Sequence, residues 1–283
     1  MPRIAIVTDT DSSLPASVAA QYGIWQVPIN VHFGQEALQT GRDIDDMGLF
    51  ERVDREKQLP TTSAPTPGQF IEAYRAVLEG GAEQIVCFCV SSEISATYQA
   101  AMLAADQVSG ADITVVDSRT LSMAQGFMVL AAAEAAQAGA SKEEVLSRAA
   151  VVGERTHLYA ALSTLKYLAM SGRVGHLAAG MASLLNIKPI LTVREGKLDM
   201  LERVRTRRKA WVRVIDLVGE TLGEGSMERM SILHVCAQEQ ARQFEAQLRG
   251  GVPCPEEAIL AELTPGLSVH AGAGLVGVVL VTS

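Results

Sequence analysis

Short apolar runs alternate with longer amphipathic or Ala-rich stretches over the first half of the chain. Residues 4–7, 24–33, 85–90 and 113–116 are rich in β-branched and aromatic side chains and run into polar residues. That pattern predicts strands buried in a sheet. Helical patterns separate them: up to residue 20, over 43–54, from Thr66 to Gly80-Gly81, through the Ala-rich stretch after Thr97, and over 122–138. Thr66-Pro67-Gly68-Gln69 combines a capping box with proline at the first helical position, so a helix starts there. Gly80-Gly81 ends it, because glycine takes the left-handed conformation freely. Ser141-Lys142-Glu143-Glu144 caps a further helix. Strand–helix alternation of this kind predicts a parallel sheet covered on both faces.

From about residue 151 the rhythm changes. Residues 158–163 read as a strand, and Ser171-Gly172-Arg173-Val174-Gly175 as a tight basic loop. Residues 187–193 and 198–203 flank Arg194-Glu195-Gly196-Lys197, which predicts a hairpin. Residues 210–222 and 238–248 are helical, and 230–235, 258–263 and 275–281 are strands. A hairpin among β–α units implies a mixed sheet. The expected fold class is therefore α/β with two domains. Residues 1–152 form a mostly parallel sheet with helices on both faces, and residues 153–283 a smaller mixed sheet with helices. There is no internal repeat or low-complexity tract.

The strands of the first half discharge into hydroxyl-rich turns. Residues 8–13, 91–97 and 117–122 would lie along one edge of the sheet, where ligands collect in open α/β folds. Ser91, Ser92, Ser95 and Thr97 stand where a strand ends and a helix begins. Unpaired backbone N–H groups and the helix dipole favour an anion at such a junction. The same residues serve equally as an N-cap with no ligand at all. Thr61-Thr62-Ser63-Ala64-Pro65 is a second hydroxyl cluster, read as a Pro-bounded loop. His270 is read at a strand end beside Gly272 and Gly274, glycines that let backbone approach a ligand closely. A histidine hydrogen-bonded inside the fold is the alternative. His32, His157, His176 and His234 carry no signal beyond packing.

Composition narrows the classes. The 283 residues suffice for two moderate domains, with 48% hydrophobic and 20% charged residues. A net charge of −8 argues against general nucleic-acid binding. The most apolar region, 126–140, is interrupted by Glu134 and Gln137 and is too short to span a bilayer. The chain runs directly into a strand without a signal peptide, so a cytoplasmic location is expected, with at most transient membrane contact. The four cysteines do not form a disulfide framework. Cys87 and Cys89 are expected on opposite strand faces, Cys236 and Cys254 lack partners at ligand spacing, and all four are read as buried free thiols.

Several chemistries are set aside. G-x-S-x-G is absent, so a Ser95–His270–Asp triad has no supporting motif. G-x-x-x-x-G-K-[ST] is also absent, and the first βα turn contains no glycine for a dinucleotide. Asp9, Asp11, Asp43, Asp45 and Asp46 could in principle hold a metal. Such carboxylates more often cap helices or face solvent, so no metal is expected. Arg203, Arg205, Arg207, Arg208 and Lys209 form a basic cluster in an acidic chain. It is either a solvated loop and helix start or a docking surface for an acidic or phosphorylated partner, and Arg173 could belong to it.

Taken in order, these motifs resemble those of the DegV family of fatty-acid-binding proteins, which includes the lipid-carrying subunit of bacterial fatty acid kinase. The similarity runs through Thr8-Asp9-Thr10, Thr62-Ser63-Ala64-Pro65, residues 91–99 (Ser-Ser-Glu-Ile-Ser-Ala-Thr-Tyr-Gln) and Asp117-Ser118. It continues through Ser171-Gly172-Arg173, residues 184–190, the Arg205 to Lys209 cluster and His270-Ala271-Gly272-Ala273-Gly274. Ala96 and Ala273 stand where the family usually has glycine and proline. The resemblance implies a two-domain protein holding one long-chain fatty acid, such as palmitate, stearate or oleate, with its carboxylate at the domain junction. It implies Thr62, Ser63, Ser95 and His270 as carboxylate donors, and a kinase catalytic subunit as partner, docking at Arg173, Arg205 and Arg208. It implies no cofactor and no catalysis by this chain itself.

The physics agrees with that implication. Neutral hydroxyl and N–H donors at a helix start suit a carboxylate. An acyl chain of ~16 carbons, at ~0.8 kcal/mol per buried CH₂, offers roughly 12 kcal/mol before the costs of association. The apolar tail would supply affinity and the polar contacts orientation. Met123, Phe127, Met181, Leu184, Leu185 and Ile190 are tunnel candidates, although ordinary core packing explains them equally well. The alternative is a hydrolase or transferase acting on a small acyl or carboxylate substrate through Ser95 or His270.

Overall fold

A computed structural model describes residues 3–172 and 187–283. Arg173, Met181, Leu184 and Leu185, named above as candidates, lie outside those residues. The chain divides into two compact units, residues 1–43, 62–154 and 195–197 in one, and residues 44–61, 155–194 and 198–283 in the other.

In the first unit, β1 (Ile4–Asp9), β2 (Trp25–Val27), β6 (Gln84–Cys89) and β7 (Asp112–Asp117) form a parallel sheet in the order β2-β1-β6-β7. Period-two alternation sends Val7, Ile85, Cys87 and Cys89 to one face, against Phe70 and Tyr74 of α3 (Pro67–Glu79) and Ala101 and Ala104 of α4 (Thr97–Ala105). On the other face, α5 (Ser122–Gln137) and α6 (Lys142–Glu154) cover β1 and β6. The capping box at Thr66 forms with both arms, Gln69 N to Thr66 Oγ1 and Thr66 N to Gln69 Oε1.

Four expectations are corrected here. Cys87 and Cys89 share a face, as residues two apart on a strand must, and their Sγ atoms are 3.9 Å apart. They are buried free thiols, but Cys236 is exposed and Cys254 half-buried. The single strand read over 24–33 is two, because Pro28 cannot donate to a ladder. β3 (Asn30–Phe33) leaves the main sheet and pairs antiparallel with β4 (Glu36–Gln39) across Gly34, whose φ is 61°. The Thr-Thr-Ser loop is likewise a strand, β5 (Thr61–Ser63), completing a three-stranded sheet in the order β4-β3-β5.

The second unit has a six-stranded mixed sheet in the order β10-β9-β8-β13-β11-β12. Its strands are β8 (Thr156–Ala161), β9 (Lys188–Arg194), β10 (Lys197–Val204), β11 (Met227–His234), β12 (Ile259–Glu262) and β13 (Val276–Thr282). β8 runs antiparallel to β9 and β13, β11 antiparallel to β13, and β11 parallel to β12. The predicted β9–β10 hairpin turns at Glu195 and Gly196, with φ of 51° and 82°, the backbone a tight primed turn requires. α8 (Arg207–Leu222) and α9 (Gln238–Gly251) bring Trp211, Val214, Val218, Phe244 and Leu248 onto Ile190, Met230, Ile232 and Val278. No helix among the described residues is long and apolar enough to cross a membrane.

Candidate functional site

The carboxyl ends of β1, β6 and β7 lie side by side, so the three hydroxyl-rich turns meet at one edge of the first unit's sheet. Much of their polarity is spent on one another. Asp9 is fully buried and accepts from Val90 N (2.7 Å), Asp11 N (2.9 Å) and Gln125 Nε2 (3.3 Å). Gln125 Nε2 also donates to Thr8 Oγ1 (2.9 Å), which ties helix α5 to two strand ends. Burial pushes the Asp9 carboxyl up to about 6, against the pull of its N–H donors. Thr10 Oγ1 is 2.6 Å from Thr40 Oγ1, and Ser122 donates to Ser13 Oγ at 3.1 Å. This part of the motif is an internal clamp.

The turn after β6 is built the same way and leaves one hydroxyl closer to solvent. Ser92 donates to Asp117 Oδ2 at 2.5 Å, and Ser91 to the Gly196 carbonyl at 2.7 Å. Gly196 admits no side chain there, since a Cβ would stand 2.8 Å from Ser91 Oγ. Ser95 is half-buried at the start of α4; its Oγ lies 2.8 Å from Thr97 Oγ1 and accepts from Thr97 N at 3.3 Å. Among the described residues, no imidazole or carboxylate is hydrogen-bonded to Ser95, the contact by which a base activates a nucleophilic serine.

Thr62 and Ser63 lie on β5 beside β3. Ser63 Oγ is 2.8 Å from His32 Nε2 of β3. His32 carried no signal in the sequence, because its partner is contributed by a strand read as a loop. Asn30 Nδ2 anchors the same strand by donating to Ala64 O (3.2 Å) and Gln69 Oε1 (3.1 Å). Thr62, Ser63, His32 and Ser95 therefore all belong to the first unit, in two clusters.

His270 belongs to the second unit. It is not at a strand end: it sits in the last turn of α10 (Pro265–Ala271), because Thr264-Pro265 opens a short helix and Gly272 closes it. Gly272 has φ 81°, and a Cβ there would stand 2.3 Å from the Tyr167 ring of α7 (Lys166–Met170). His270 lines a cavity of about 400 Å³ with Pro60, Thr61, Tyr167, Met170 and Ser171, a size within the range of small-molecule sites. Pro60, Thr61 and Tyr167 were not legible as lining residues. Tyr167 is held by an edge-to-face contact with Phe50, centroids 6.2 Å apart.

Of the described tunnel candidates, Met123 and Phe127 are buried on α5 in the first unit, and Ile190 is buried in the second unit's core. Arg205 and Arg208 are exposed at the start of α8, and among the described residues neither makes an ion pair. Arg207 lies over the Trp211 ring at 5.5 Å. Asp9, Asp43 and Asp45 accept backbone N–H groups as turn and helix caps. Asp46 does not, and is buried.

A parallel-sheet unit with polar strand ends, and a mixed-sheet unit with a glycine-flanked histidine on a cavity, define a two-unit α/β class of protein. The chain belongs to the DegV family: the family model, described as an uncharacterised protein of the DegV family, matches residues 3–283. A DegV domain-containing protein of Streptomyces coelicolor is 36% identical over 278 residues, 98% of each chain. Among solved structures, the chain is similar to a DegV family protein from Thermus thermophilus, described by its fatty acid binding, with TM-score 0.91 and 31% identity over 99% of this chain and 100% of that one. It is also similar to DegV from Bacillus subtilis, described as a fatty acid binding protein, with TM-score 0.89 and 27% identity over the whole of both chains.

Proposed function

We propose that this protein binds a long-chain fatty acid and presents it to a fatty acid kinase, without catalysing a reaction itself. The observation that carries the binding is likeness over essentially the full length, in sequence and in fold, to the fatty-acid-binding DegV protein of Thermus thermophilus. The half-buried His270, lining a cavity of about 400 Å³, and the neutral hydroxyls at the first unit's strand ends are consistent in chemistry. Thr62, Ser63, Ser95 and His270 are the proposed head-group donors, and His32 joins them through Ser63. Met123, Phe127 and Ile190 are the described residues proposed for the acyl tail. Neutral donors orient a carboxylate, while tail burial supplies most of the affinity. The domain boundary near residue 152 and a cytoplasmic location complete the proposal.

Denaturing mass spectrometry of the purified protein tests the binding. A long-chain fatty acid should be released in near-stoichiometric amount, and delipidated protein should rebind it at micromolar concentration or below. Finding neither would end the proposal. The kinase arm rests on the exposed Arg205 and Arg208. Arg205→Glu/Arg208→Glu should leave lipid affinity unchanged and slow phosphorylation of the bound acid by an added kinase subunit. Equal turnover would remove those arginines from the partner surface.

A further inference from the structure

The second unit holds a cluster of ligating side chains that lipid binding does not use. Asp46 is the first residue of α2 (Asp46–Glu56), Glu262 ends β12, and Cys236 follows β11 with φ 45°. One donor atom from each lies within 4.8 Å of the others. The topology makes this meeting possible, because β11 and β12 are parallel and His234 is in register with Glu262, so both strands deliver side chains at the same end.

Two observations point to a missing ligand rather than to a surface acidic patch. Asp46 is 1% exposed, and only one of its oxygens is satisfied, by the hydroxyl of Ser268; Oδ2 is buried with no hydrogen-bond partner. Independently, His234 is 6% exposed and its Nδ1 makes no hydrogen bond, yet lies 3.5 Å from Glu262 Oε1. Cys236 N already donates to that same Glu262 oxygen at 3.3 Å, which fixes the carboxylate beside the thiol. A buried carboxylate oxygen inside the cluster, and a buried ring nitrogen beside its Glu262 carboxylate, both without a hydrogen-bond partner, are costly as they stand.

A cation resolves the cost. The donor set is one sulfur and two carboxylates. A thiolate favours a borderline ion over Mg²⁺ or Ca²⁺, which prefer all-oxygen shells. Tetrahedral Zn²⁺ with bonds of about 2.0–2.3 Å needs ligand atoms about 3.3–3.8 Å apart, and the three donor atoms here lie within 4.8 Å of one another.

We propose that Asp46, Cys236 and Glu262 form a binding site for Zn²⁺ or a similar borderline divalent cation, with His234 Nδ1 beside the Glu262 carboxylate. Cys236 and Glu262 are exposed and give the ion its way in. The chain supplies three donors to the ion. The ion would fasten the start of α2 to the ends of β11 and β12.

The test uses the full chain, stripped with chelator and dialysed, then titrated with Zn²⁺ against a chromogenic chelator. One equivalent should bind at micromolar concentration or below, with release of protons and a rise in melting temperature. Co²⁺ should give a thiolate-to-metal charge-transfer band. Cys236→Ser should lose that band and weaken Zn²⁺ binding at least about tenfold, whereas Cys254→Ser should change neither. Asp46→Asn, folded as judged by circular dichroism, should weaken binding similarly, and millimolar Mg²⁺ should not compete. No stoichiometric Zn²⁺, or binding that survives Cys236→Ser, would overturn the site. These readouts do not involve lipid, so their failure leaves the fatty acid reading standing, and the reverse holds too.

Discussion

His32 Nε2 and Ser63 Oγ are 2.8 Å apart on β3 and β5. A hydroxyl proposed to meet a carboxylate is therefore already oriented by an imidazole, and among the described residues no third group fixes that ring's other nitrogen. With the ring proton on Nε2, His32 donates to Ser63 Oγ and leaves the Ser63 O–H to donate to a carboxylate. Ser63→Ala and His32→Ala should each weaken fatty acid affinity by about tenfold, the equivalent of about 1.4 kcal/mol. The double variant should be no weaker than the worse single one, because the two act through one hydrogen bond. Displacement of a fluorescent fatty acid measures all three; additive losses would show the residues act separately.

Gly272 cannot carry a side chain. Its φ is 81°, and a Cβ would stand 2.3 Å from the Tyr167 ring. Gly272→Ala should destabilise the protein by about 2–4 kcal/mol and perturb the His270 cavity. Gly34→Ala meets open space at φ 61° and should cost only about 1 kcal/mol of backbone strain. Chemical denaturation separates the two.

Asp9 makes stability depend on pH. Its folded value, about 6, lies above the ordinary 3.8, so between pH 4 and 6 the folded state holds a proton the unfolded chain releases. Stability is fully supported below pH 4 and is lost as pH rises through 6. Asp9→Asn should flatten this slope, so that wild type loses about 2 kcal/mol relative to the variant between pH 4.5 and 7. Urea denaturation at the two pH values checks this, and a parallel pair of curves would contradict it.

The capping box at Thr66 joins α3 to the strand that carries Thr62 and Ser63. Thr66→Ala should remove about 1 kcal/mol of stability by freeing the Gln69 N–H. Thr66→Asn should restore most of it, as measured by thermal melting.

Local signals were enough for the parallel character of the first unit's sheet, the β9–β10 hairpin and the boundaries of α3 to within a residue. Those signals are a two-residue or 3.6-residue repeat, a capping box, a glycine where φ is positive. The family motifs also placed Ser95 and the glycine-flanked His270 among candidate residues. What the sequence left open depends on partners far along the chain. Residues 44–61 group with the second unit, although sequence neighbours on both sides belong to the first. The Thr-Thr-Ser segment becomes a strand only because β3 offers it an edge, and His32 gains a role only through that pairing. Asp46, Cys236 and Glu262 share no local pattern, and only tertiary packing brings Asp46 within 4.8 Å of side chains 190 and 216 positions further along. Local chemistry writes the elements into the chain; long-range burial and strand registry decide which side chains meet.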